Sequence, residues 1–174
     1  MPTYVALVRG VNVGGRKLPM AELRASFEAL GHADVRTYIQ SGNVVFTAKT
    51  RSGATVRSEI ERAINRDSQL NVTVLLRTPA ELTSVMKRNP FGDDAYVTFL
   101  DEKPSAKHVA AIDPAPFVPD EFAVDGREVF VRCPNGYGRT KINNTFFERK
   151  LATRATTRNW NTVKLLHEWA TDAK

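Results

Sequence analysis

The sequence predicts an α+β chain built from two successive halves, each alternating strands with helices. Three observations predict it. Short runs rich in Val, Ile, Thr and Phe recur along the 174 residues, bounded by Gly, Pro, Asn and Asp. Between them lie stretches whose apolar residues return at helical spacing, such as Val56, Ile60, Ala63 and Ile64. The order of the two kinds is nearly the same in residues 1–88 and in residues 89–174.

In the first half, residues 4–11 are apolar apart from Arg9 and Gly10 and read as a central strand. The loop from Asn12 to Lys17 follows. Pro19 suits a first helical position, and residues 20–30 carry the helix up to Gly31, a C-terminal stop. Val35, Thr37 and Ile39 alternate with Arg36 and Tyr38, which gives a second strand. Gln40, Ser41, Gly42 and Asn43 form a tight turn into a third strand over 44–47. A helix around Val56–Ile64 and a fourth strand over 72–77 complete the order β-α-β-β-α-β, the ferredoxin-like unit. Thr78-Pro79-Ala80-Glu81 is a capping-box start for another helix, which ends near Pro90.

The second half opens with a strand over 95–100 and a short helix over 105–112. A link with Pro114, Pro116 and Pro119 leads to two short strands joined at Asp125-Gly126, a hairpin signal. Two helices, over 141–151 and 159–170, close the chain. This half therefore reads as βαββαα, a second α/β sandwich that echoes the first in structure and is not a sequence repeat. The division is 1–88 for the ferredoxin-like half and 89–174 for the second half with its two C-terminal helices, or one compact unit of two subdomains.

The net charge is +6, but its distribution matters more. Between Arg127 and Lys164 stand nine Lys or Arg against two acids, Glu128 and Glu148, while the remainder holds sixteen basic and seventeen acidic residues. All the excess lies in the last third, and a local positive field attracts phosphates, nucleic acid or acidic partners. One cysteine, Cys133, excludes an internal disulfide. No apolar run approaches the ~18 residues of a membrane span, and the N-terminus carries no basic leader. A reducing, cytoplasmic setting is expected, with no membrane partner.

Three groups of residues are candidates for a site. The first is Thr156-Thr157-Arg158-Asn159-Trp160-Asn161-Thr162, read as the first turn of the last helix. Thr157 or Asn159 suits its N-cap. Arg158 there opposes the helix macrodipole, and a bound anion would resolve the conflict. The competing reading pairs Arg158 with a carboxylate elsewhere and puts Trp160 in the core. The second group is the Gly-rich loop ending in Arg139 and Lys141; it lacks the P-loop pattern but offers two cations and backbone N–H groups to an anion. The third follows from the strand order. If strand three lies antiparallel between strands one and two, Arg9 and Asn12 meet Gln40, Ser41 and Asn43 at one sheet edge. Ordinary turn chemistry is the competing reading of this group.

Several chemistries find no support. The three histidines show no metal spacing with Cys133 or with carboxylates, so neither metal nor cofactor is expected. Cys133 reads as a small buried hydrophobe. Arg9–Gly15 does not fit the dinucleotide fingerprint. The third strand carries one aromatic, Phe46, where an RNA-recognition sheet needs several.

Four stretches in combination resemble an uncharacterised bacterial family, domain of unknown function 1697: Arg9-Gly-Val-Asn-Val-Gly-Gly15, Thr37-Tyr-Ile-Gln-Ser-Gly-Asn-Val-Val-Phe46, Gly136-Tyr-Gly-Arg-Thr-Lys141 and Thr156-Thr-Arg-Asn-Trp-Asn-Thr-Val163. The resemblance runs over about residues 3–170. It implies an α+β fold with ferredoxin-like parts and brings no activity or residue role with it. The leading expectation is a cytoplasmic protein that binds an anionic ligand, a phosphorylated metabolite, nucleotide or nucleic acid, through the basic loop and the helix start. The alternatives are an enzyme acting on a small phosphorylated substrate at the sheet edge, and a protein–protein interaction module whose polar motifs are structural. The sequence leaves the oligomeric state open.

Overall fold

The computed structural model describes residues 1–11, 17–39 and 41–172. Among these residues the chain runs β1 (Thr3–Arg9), α1 (Met20–Ala29), β2 (Ala33–Tyr38), β3 (Asn43–Thr47), α2 (Gly53–Ser68), β4 (Thr73–Arg77) and α3 (Pro79–Arg88). It continues with β5 (Ala95–Leu100), α4 (Ala106–Ala110), β6 (Glu121–Asp125), β7 (Glu128–Arg132), α5 (Asn144–Leu151), β8 (Ala155–Asn159) and α6 (Trp160–Asp172). The strands form two four-stranded sheets, in the orders β2-β3-β1-β4 and β6-β7-β5-β8. Every pairing is antiparallel. The chain is thus α+β, as its alternating pattern requires. By contacts it divides into two units, Met1–Thr83 with the segment from Leu165 onward, and Ser84–Lys164.

In the first unit the period-two alternation of β1 sends Tyr4, Ala6 and Val8 to one face. There they pack with Leu23 and Phe27 of α1 and with Val56, Ile60 and Ile64 of α2. Val5 and Leu7 face the other way, beside Val45 and Leu75. On that second face Trp169 of α6 lies 3.9 Å from the Arg36 guanidinium and edge-on to Tyr38. Helix starts follow local chemistry. Ser52 accepts from Thr55 N at α2. At α3, Thr78 and Glu81 close the expected capping box in both directions, at 2.9 and 3.1 Å. Pro19 stands one place earlier than expected, as the extended residue before α1.

In the second unit, Leu100, Val129, Val131 and Ala155 face Ile142, Phe146, Phe147 and Leu151, around α5. Helix α5 starts at Asn144 and not at Lys141. Asn143 caps it through Phe146 N at 3.0 Å, and residues 137–139 form a separate 3-10 turn. The larger correction concerns the end of the chain. The second half is βαββαβα, not βαββαα, because Ala155–Asn159 is a strand. Thr156 and Thr157 are β-branched and favour a pleated surface. They pair with Phe99 and Thr98 of β5, and the Thr98 and Thr157 hydroxyls meet at 2.8 Å.

His32, 5 % exposed, closes the turn after α1. Its Nδ1 accepts from the Lys49 amide at 3.3 Å, so the ring proton sits on Nε2, which is buried without a hydrogen-bond partner. The ring lies 5.0 Å from Phe46 and 6.4 Å from Phe27. Burial lowers the His32 pKa below its ordinary 6.5, Glu59 of α2 opposes the shift, and Lys49 adds to it. The folded state therefore binds this proton less readily than the unfolded state, so stability is lost as pH falls through the unfolded value near 6.5. The thermal midpoint of the wild type should fall between pH 7.5 and 5.5 by more than that of His32→Gln. Equal falls in the two proteins would show that His32 does not drive the acid sensitivity.

Candidate functional site

The motif from Thr156 to Thr162 is divided between a strand end and a helix start. Arg158 belongs to β8, opposite Val97, and does not lie in the helix. The macrodipole conflict expected from the sequence therefore does not arise. Its side chain is 6 % exposed and turns back along its own strand. Nη1 donates to the Thr156 hydroxyl and, at 3.0 Å, to the Thr157 carbonyl. Burial lowers its pKa to about 10, so it stays charged at neutral pH. Of the two N-cap candidates, Asn159 takes the role and Thr157 lies within the strand; Asn159 Oδ1 accepts from Thr162 N at 2.8 Å. Trp160 is 6 % exposed, while Asn161 is exposed.

Asn159, Trp160 and Asn161 line a cleft of about 470 Å³ at one end of the second sheet, with Asp93, Asp94, Tyr96, Arg132 and Cys133. The sequence reading missed the two aspartates. Asp93 approaches Lys164 at 3.8 Å. Two carboxylates against one lining cation make this a poor seat for a phosphate. Burial raises the Cys133 thiol above its ordinary value, hydrogen bonding with Thr140 lowers it in part, and Asp120 raises it again. It remains a thiol at neutral pH and is a weak nucleophile.

Arg139 and Lys141 lie in a second cleft, of about 340 Å³, and Arg158 lines neither. The basic loop forms one wall, through Asn135, Gly136, Arg139 and Lys141. Gly136 has φ +96°, a conformation that side chains rarely adopt. The other wall is the proline-rich strap from Pro116 to Asp120. The hairpin explains why the two meet. Glu121 pairs with Arg132, so residues just before β6 and just after β7 emerge at the same end. The Asp125-Gly126 signal held this information, yet read in order the strap looked like a plain link. The Thr140 hydroxyl donates to Asp120 Oδ2 at 2.7 Å and ties the walls together. Arg139 and Lys141 are exposed, and among the described residues neither side chain makes an ion pair or hydrogen bond.

The N-terminal candidates Asn12 and Gln40 lie outside the described residues. Of the other three, Ser41 and Asn43 meet directly, and Arg9 ends the neighbouring strand β1. Leu7 pairs with Asn43, and Val8 N donates to Gly42 O at 2.8 Å, which brings the end of β1 beside the turn before β3. Asn43 is fully buried and donates its amide to Tyr38 O at 3.0 Å and Ser41 Oγ at 2.9 Å. Its polar atoms hold the turn. Gly42 has φ +84°, and a Cβ there would meet Val11 Cγ2 at 2.9 Å and Val8 Cβ at 3.0 Å, so the turn demands glycine.

The family described as "Protein of unknown function (DUF1697)" matches residues 1–130. The chain belongs to it. The family match covers both N-terminal motifs and the strap, and stops before the basic loop. Among solved structures, a conserved bacterial protein, SP0830 from Streptococcus pneumoniae, has the same fold at a TM-score of 0.78 and 22 % identity. The match covers 98 % of this chain and 99 % of that one. No curated protein matches the chain. Among the described residues of this family member, no helix is long and apolar enough to cross a membrane, and no group of three His, Cys, Asp or Glu is placed to hold a metal ion.

The contrast between Arg158 and Arg139 is measurable in urea. Arg158→Gln should destabilise the fold by about 1–3 kcal/mol, because it removes the buried donor that serves Thr156 and Thr157. Arg139→Gln, on the surface, should leave the unfolding midpoint near that of the wild type. Equal midpoints for the two variants would contradict a structural role for Arg158.

Proposed function

We propose that the protein binds an anionic ligand, a phosphorylated metabolite, nucleotide or nucleic acid, in the cleft between the basic loop and the proline strap. The observation that carries the reading is the pairing of Arg139 and Lys141 in one concave site. Both are exposed, and neither has a side-chain partner among the described residues. Two unneutralised cations within low-dielectric walls focus a positive potential. Guanidinium and ammonium groups make strong charge-assisted bonds to phosphate oxygens. Asp120, the acid lining this cleft, already accepts from Thr140, which holds it on the strap side.

The surrounding charge supports the same reading, since nine Lys or Arg face two acids between Arg127 and Lys164. The larger cleft at α6 carries Asp93 and Asp94 and so ranks below this one for an anion. A reducing, cytoplasmic setting is part of the proposal; its support is the single cysteine, present as a free thiol.

A thermal-shift series with inorganic phosphate, a sugar phosphate, nucleotides and short single-stranded oligonucleotides tests the proposal. A ligand at 100 times its Kd adds about 2.7 kcal/mol, which moves the midpoint by several degrees. The double variant Arg139→Gln, Lys141→Gln should lose that shift while its ligand-free midpoint stays unchanged. An undiminished shift in the double variant, or no shift with any of these anions in the wild type, would defeat the reading.

A further inference from the structure

We infer that the ligand of this cleft is a nucleoside monophosphate, held by its phosphate at Arg139 and Lys141 and by its base against the proline strap; the inference rests on the anion-binding reading above. The two walls differ in chemistry. One offers cations and loop backbone. The other offers Phe117, Val118 and Pro119. Val118 is 75 % exposed, one of the few large hydrophobic side chains that the described residues leave open to solvent. A ligand that is an anion alone would leave this apolar wall uncovered. A nucleotide carries a charged end and a flat, weakly hydrated end, and the cleft separates the same two chemistries.

The wall is also held in place. Phe117 packs edge-on to Phe146 at 5.1 Å, so its ring is anchored by the core cluster around α5. Asp120 N donates to Phe117 O at 2.8 Å and closes the strap's turn. Thr140 then bonds Asp120 and fixes the strap to the loop that carries the cations. A site whose two walls are already joined loses little freedom on binding. Asp120 remains within reach of the cleft as an acceptor for a sugar hydroxyl or a base amine. At about 340 Å³ the cleft is at the small end of small-molecule sites, which suits one nucleotide and not a strand of them.

Isothermal titration of the full chain with the four ribonucleoside monophosphates, ribose 5-phosphate, inorganic phosphate and a short deoxythymidine oligonucleotide separates the outcomes. The best monophosphate should bind roughly tenfold or more tightly than ribose 5-phosphate, the gain expected of one base on an apolar wall. Val118→Ser should weaken that monophosphate by about threefold to tenfold and leave ribose 5-phosphate unchanged. The exposed Val118 is not needed for folding, and an unchanged melting midpoint confirms this. If ribose 5-phosphate and phosphate bind as tightly as any nucleotide, whatever stands at 118, the nucleotide inference fails and the anion reading survives. If the oligonucleotide binds best, with affinity that vanishes at higher salt, the inference fails in favour of backbone electrostatics. If no anion binds and Arg139→Gln changes nothing, both fail together.

Discussion

The pairing of β8 with β5 is the constraint on which the second unit depends. Thr156 and Thr157 lie opposite Phe99 and Thr98, and this register fixes the face to which each residue of the motif points. The side-chain period of a strand is two, so a slip of one residue would exchange the faces. In the observed register Thr157 shares the α5 side with Ala155. There its hydroxyl meets Thr98 and donates to Asn144 Oδ1 at 2.9 Å. Arg158 is left on the opposite face, and Asn159 is the last strand residue, free to cap α6. The same pairing thus buries the cation and starts the helix.

Each half closes in the same way. The strand orders β2-β3-β1-β4 and β6-β7-β5-β8 coincide when the strand number is shifted by four, so the last strand of each half returns beside its first. Arg77 ends β4 as Arg158 nears the end of β8, opposite Val5 and Val97 respectively. Both are buried, and both donate Nη1 to the carbonyl of the preceding residue at 3.0 Å. The next residue in each case, Thr78 or Asn159, caps a helix. A buried guanidinium must satisfy its donors inside the protein, and a nearby strand carbonyl meets part of that need. The correspondence marks Arg158 as one of two like structural parts.

The cleft at α6 and the cleft at the proline strap differ in sign because different segments face the loop after β7 in each. At the first cleft the turn before β5 brings Asp93 and Asp94 to the start of α6. Beside the other cleft, the hairpin β6–β7 brings the proline strap and the basic loop together. The excess positive charge of the last third is therefore not spread evenly over the polar motifs. Arg139 and Lys141 face a cleft, while Arg158 is enclosed. A charge count along the chain cannot make that distinction, since it depends on strand register for Arg158 and on loop placement for Arg139 and Lys141.

The sequence by itself determined the α+β class, the strands with clear period-two alternation and the capping box at Thr78–Glu81. These depend on interactions within a few residues of the chain, or on a pattern that one face of an element must bury. Tertiary structure alone decided that the polar run Ala155–Asn159 is a strand. That run has no apolar alternation, and its partner β5 lies about sixty residues earlier, so nothing local announces the pairing. Tertiary structure also placed Arg158 inside and Arg139 outside, and set the proline strap against the basic loop. Those outcomes come from sheet register and hairpin geometry, which join residues far apart in sequence and leave no periodic trace in it.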